Sequence, residues 1–186
     1  MDTNYIYLVF SKTPTWLSRL IGLVTGSNFT HVSISFDNKF DNLYSFCRKY
    51  PNNPFYGGFA IESLHKGVYA KSPLSYCLIY KIPVSGTSLK IIKDEVNKFV
   101  INADMYKYNF LGLFMVLLNK PFERKNYYFC SQFVTMLLNK SNVWNSPKHI
   151  TLTKPIDLLK IENKEIIFEG YVYELQYNPL EKRIMV

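Results

Sequence analysis

Residues 30–37 (THVSISFD) alternate strictly, with Val32, Ile34 and Phe36 on one side and His31, Ser33 and Ser35 on the other. A period of two belongs to a β-strand whose two faces meet different surroundings, so this segment must lie in a sheet with an apolar layer on one side. Other segments carry the same signature. Residues 4–10 (NYIYLVF) are rich in β-formers, and the turn-prone run 37–42 leads into residues 43–46 as a hairpin. Residues 59–63 and 76–82 read as two more strands, the first following a loop over 51–58 that is punctuated by Pro and Gly.

Helical spacing appears in between and afterwards. Thr13 as N-cap and Pro14 at the first helical position open a helix with Trp16, Leu17, Leu20, Ile21 and Val24 on its apolar face, closed by Gly26. After Gly86 the period changes. Leu89, Ile92, Val96, Phe99 and Val100 predict a helix capped by Thr87 or Ser88. A Tyr- and Asn-rich joint over 106–109 precedes a short apolar helix over 110–118, and residues 126–129 (NYYF) run straight into a helix that begins at Cys130. Its apolar face is Phe133, Val134, Leu137 and Leu138. The tail adds a helix near 155–159 capped by Thr153, then strands at 166–168 and 171–176. No repeat, linker or shift in composition interrupts the 186 residues, so the expected organisation is one α+β domain over 1–186.

Composition narrows the function classes. With 48% hydrophobic and 19% charged residues and only 8 Gly and 9 Pro, the chain is neither disordered nor low in complexity. Cys47, Cys77 and Cys130 form no CxxC pair, and His31, His65 and His149 are scattered, so no metal site and no cofactor is expected. The cysteine usage suits a reducing compartment. The N-terminus lacks the basic and long apolar regions of a secretory signal, and the longest apolar run is about half of what a membrane span needs. The expectation is a cytoplasmic protein. The net charge of +8 is dispersed rather than gathered into runs. It reads as a solvated basic surface, with no nucleic-acid partner expected and a membrane surface left open as a substrate clue.

Among the cysteines, Cys47 and Cys77 lie in strand-like, apolar-flanked segments, where a thiol serves as a small core residue. Cys130 stands at a helix start, where free N–H groups and the positive end of the helix dipole favour a thiolate and an oxyanion beside it. His31 opens a strand on its polar face and is the candidate base. A thiol and an imidazole brought together in space are what cysteine hydrolases need, whatever their order along the chain.

Two segments carry a family resemblance. Residues 26–32 (GSNFTHV) and 128–134 (YFCSQFV) resemble the histidine segment and the nucleophile helix of permuted papain-like enzymes, the YiiX-like branch of the NlpC superfamily. Residues 106–110 (YKYNF) resemble the Tyr-rich element that precedes that helix, and the order, His first and Cys late, is the permuted one. The resemblance implies a circularly permuted papain-like fold, an antiparallel sheet carrying His31 packed against the helix carrying Cys130. It also implies amide or ester hydrolysis, or acyl transfer, through a thioester on Cys130. The family's third polar residue, aligned through the hairpin, falls on Ser45; Glu62 is the alternative if its strand lies alongside. The aromatic residues before the thiol, Tyr128 above all, and Tyr108 in the joint are expected to contact substrate. That substrate is a small molecule, a peptide or a lipid amide or ester. Two other readings stand beside the hydrolase: a non-catalytic ligand-binding module of the same fold, and a lipid acyltransferase or thioesterase-like enzyme at a membrane surface.

Overall fold

The computed structural model describes residues 4–13, 22, 28–48 and 56–177. Among these, eight strands join in one sheet: β1 (Asn4–Lys12), β2 (His31–Ser35), β3 (Leu43–Arg48), β4 (Gly57–Glu62), β5 (Tyr76–Val84), β6 (Lys107–Tyr108), β7 (Tyr127–Tyr128) and β8 (Glu165–Tyr171). Their lateral order is β7-β6-β4-β3-β2-β1-β5-β8. Six α-helices accompany them: α1 (Gly67–Lys71), α2 (Gly86–Ile101), α3 (Phe110–Leu117), α4 (Cys130–Lys140), α5 (Pro155–Leu158) and α6 (Val172–Tyr177). The resemblance implied an antiparallel sheet, and the sheet departs from that at one edge. Its short edge pair β6–β7 runs parallel, because each of these strands feeds directly into a helix, α3 and α4 respectively.

Both faces of the sheet are covered. Ile6, Leu8 and Phe10 of β1, with Val32, Ile34, Phe46 and Phe59, meet Ile92, Val96 and Phe99 of α2 and Phe133 and Leu137 of α4. On the opposite face Tyr7, Val9, Leu43, Cys77 and Ile79 meet Leu64, Tyr69 of α1, Phe168 of β8, and Val172 and Leu175 of α6. Lying between β2 and β5 and covered twice, β1 needs apolar residues at consecutive positions, and YIYLVF supplies them.

This double cover overturns the simplest reading of the alternation in β2. Its polar face does not meet water: Ser33 and Ser35 are fully buried. Their hydroxyls are satisfied locally, Ser33 by the Val9 carbonyl at 3.5 Å and Ser35 by the Asp37 carbonyl at 3.1 Å. The polar residues are there because they are small, not because they are solvated.

Several boundaries differ for identifiable reasons. The cap of α2 is Ser85, not Thr87 or Ser88, and its Oγ accepts the Ser88 N–H at 3.0 Å. The cap position of α5 is Lys154 rather than Thr153, with Asp157 Oδ2 accepting the Lys154 N–H at 2.9 Å. The strand expected over 171–176 is the helix α6, because Glu174 accepts the Tyr171 N–H at 2.9 Å and turns the chain out of the ladder. α1 was not foreseen; five residues are too few for a readable period. The helix expected over 13–26 and most of the loop over 51–58 lie outside the described residues.

Phe46 sits at the centre of the helix-covered face. Its ring lies 5.3 to 5.9 Å from those of Phe59, Phe99, Tyr128 and Phe133. Edge-on and tilted packing of this kind adds to the burial itself. Truncation by Phe46→Ala is expected to cost about 3–5 kcal/mol of unfolding free energy, measured by urea denaturation. A loss well under 1 kcal/mol, on the order of a surface substitution, would contradict this placement.

Candidate active site

The thiol is placed by the start of α4. Phe129 holds an extended backbone (φ −113°, ψ 167°) and has no side-chain acceptor, so no side chain caps the first N–H groups of the helix. Gln132 Oε1 accepts the Phe129 N–H at 3.4 Å, and Ser131 Oγ donates to the Thr153 carbonyl at 2.7 Å, which pins the first turn. Cys130 itself is buried, at the first position of that turn.

His31 is the first residue of β2, opposite Ser11 of β1. At the mouth of the strand its ring reaches two groups at once. Nε2 lies 2.7 Å from Glu62 Oε2, and Cys130 is near enough to the ring to favour its protonated form. The pair is secluded, His31 being 17% and Glu62 15% exposed at the side chain. Burial by itself disfavours the imidazolium. Only together do the Glu62 charge, its hydrogen bond and the nearby Cys130 outweigh it, and the ring is raised from 6.5 to about 10.

Glu62 ends β4 and lies opposite Leu43 of β3, not opposite the histidine. It shares one side of β4 with Ala60, whose partner across the ladder is Ser45. Ser33, Ser45 and Ala60 are small, and that leaves the space over which imidazole and carboxylate approach each other. The Ser45 hydroxyl does not face the ring: it donates to the Val32 carbonyl at 2.7 Å and is fully buried. Of the two candidates for a third residue, the structure brings Glu62 to His31 and assigns Ser45 to the backbone.

A further pair was missed. Tyr69 of α1 is buried with its hydroxyl 2.8 Å from the Oγ of Ser11, the residue that pairs with His31. Burial first, and then the Glu62 charge, hold this phenol well above its ordinary range, so it stays a neutral hydrogen-bonding group. The only sequence signal was a Tyr in an otherwise turn-like stretch.

The aromatic residues expected around the thiol divide between two places. Tyr128 and Tyr106 pack against Phe99 at 5.4 and 4.3 Å and belong to the core layer. Tyr108 stacks on Phe110 at 4.5 Å and lines a groove of about 580 Å³ with Tyr106, Lys107, Arg124 and Tyr127. A second cleft, of about 600 Å³, opens beside Lys12, Phe29 and Tyr76, near the entry to β2. Neither Cys47 nor Cys77 forms a disulfide; burial, with a smaller contribution from Glu174, pushes Cys77 up to about 12. Among the described residues no group of three or more His, Cys, Asp or Glu side chains could hold a metal ion. None of the described helices is long and apolar enough to cross a membrane. No protein-family model matches the chain, and no curated protein matches it in sequence.

Two variants test the geometry. Because folding raises the His31 pKa, its stabilisation is complete below pH 6.5 and lost as pH rises through about 10. The stability difference between wild type and Glu62→Gln is therefore expected to narrow across that interval in urea titrations; a difference that is constant or widens would show that Glu62 does not hold the proton on His31. Ser45→Ala is expected to cost about 1 kcal/mol while leaving the reactivity of Cys130 as in the wild type.

Proposed function

We propose that the protein is a cysteine-dependent hydrolase of amide or ester bonds, with Cys130 as nucleophile, His31 as general base and acid, and Glu62 as the residue that orients and charges the imidazole. One observation carries this reading: a single imidazole held by a carboxylate at 2.7 Å, with a helix-start thiol beside it that favours its protonated form. We read the fold as permuted papain-like, a reading supported by the histidine strand preceding the cysteine helix and by the packing of α4 on β2 and β3.

In the proposed reaction the Cys130 thiolate attacks the substrate carbonyl carbon. The carbonyl π electrons move onto oxygen, and the oxyanion is met by the N–H groups of the first turn of α4. Collapse expels the amine or alcohol, which takes the proton held on His31, and leaves a thioester on Cys130. Water then attacks the thioester while His31 removes its proton. The carboxylic acid leaves and the thiol is restored. Glu62 keeps the ring oriented and stabilises the imidazolium in both halves, as the acidic partner does in serine and cysteine triads.

Iodoacetamide labelling near neutral pH, mapped by mass spectrometry, tests the assignment. Cys130 is expected to alkylate at least roughly tenfold faster than Cys77, whose thiol is held protonated by burial, and His31→Ala is expected to abolish the difference. Equal labelling of Cys47, Cys77 and Cys130, unchanged by His31→Ala, would remove the nucleophile from the proposal. Glu62→Gln is expected to lower turnover of any ester that the wild type hydrolyses by roughly a hundredfold or more.

A further inference from the structure

We propose that the outward face of α3 docks the protein on an anionic lipid surface. The helix and its C-cap, residues 110–118 (FLGLFMVLL), contain no polar side chain. Gly112 and Val116 are buried, and Phe110 and Leu113 pack on the core, so this is the side the fold uses. The opposite side is unpartnered: Leu111 is 49%, Phe114 56%, Leu117 48% and Leu118 53% exposed. Steps of three and four residues place these side chains along one stripe. Scattered exposed apolar residues need no explanation, but four in one stripe on a wholly apolar helix mark a contact surface.

The charge around the stripe selects the occupant. Lys107 and Arg124 line the groove that Leu111 also lines, so cations stand at the rim of the apolar patch. At the other end Asn119 takes a left-handed φ of 50° and ends the helix, so that Lys120 follows directly and donates its N–H to Met115 O at 3.2 Å. Lys120, Arg124 and Lys125 are all exposed. Two acids lie nearby, Asp104 lining the same groove and Glu123 3.4 Å from His149 Nε2, so Lys107, Lys120, Arg124 and Lys125 leave the rim cationic. The chain as a whole carries +8. An anionic leaflet offers hydrocarbon to the stripe and negative charge to its rim together. A second copy of this chain would instead set the same lysines against one another.

The inference is independent of the catalytic reading, and the test separates the two. Full-length protein is mixed with vesicles of phosphatidylcholine alone, or of phosphatidylcholine and phosphatidylglycerol, and floated through a density gradient at low and high salt. Wild type and Cys130→Ser are both expected to float with the anionic vesicles, at least roughly tenfold more than with the neutral ones, and to be released by salt. Phe114→Glu combined with Leu117→Glu is expected to cut the floated fraction roughly tenfold or more with an unchanged thermal transition. Should that variant lose its transition, Lys120→Glu with Lys125→Glu, off the helix, carries the test and is expected to abolish the preference for anionic vesicles. The proposal is overturned if the wild type stays in the soluble fraction, if a folded helix variant floats equally well, or if the helix substitutions convert a dimer into a monomer in sedimentation velocity without vesicles.

Discussion

The 2.7 Å contact between the His31 ring and the Glu62 carboxylate sets requirements that the rest of the structure meets. A carboxylate and an imidazole withdrawn from water are unfavourable one at a time, and tolerable only when each is the other's partner in good geometry. Withdrawal here means cover on both faces of the sheet, from α2 and α4 on one and from α1, β8 and α6 on the other. Approach demands that nothing bulky stand between the two groups, and Ser33, Ser45 and Ala60, which lie between them on that face of β2, β3 and β4, are small. Their hydroxyls are used up by nearby carbonyls, so they do not compete for the ring.

What could be read in the sequence follows from how local each feature is. The alternation of β2, the helical spacing of α2 and α4, and the helix start at Cys130 are written within a few residues, and the structure has them at those places. The burial of Ser33 and Ser35 is not local, because their cover arrives from segments far along the chain. The third residue was undetermined for a related reason. A hairpin fixes the register of β2 against β3, which led to Ser45, but the register of β4 against both depends on pairing across the sheet, and Glu62 reaches His31 from a position opposite Leu43. The C-terminal helix α6 shows the complementary failure: VYELQ has strand-like alternation, and a single glutamate side chain overrides it.

The aromatic residues illustrate how composition divides into separate duties. Phe46, Phe59, Phe99 and Phe133 form one interlocked group, with Tyr106 and Tyr128 packed onto it from the β6–β7 edge. Gly58 makes that edge possible, since a Cβ there would run into the Tyr106 carbonyl. The same edge joins the site to its surroundings: the Asn109 N–H donates to the Tyr128 carbonyl at 2.9 Å, two residues before Cys130. The start of α3 and the start of α4 are thus held on adjacent rungs.

The lateral order of the strands also bears on the sequence of events as the chain leaves the ribosome. β2 can pair early with β1, and β3 and β4 can add to it in turn, since they follow closely, whereas Phe168, Val172 and Leu175 emerge after almost everything else and join Val9 and Ile79 in the same cluster. Cys130 and His31 come from distant parts of the chain, so their meeting carries a high loop-closure cost that local structure cannot offset. A nascent chain that has made all of β1 to β5 therefore has a histidine strand but no reactive thiol beside it. Reactivity would mature late, after the sheet that supports it.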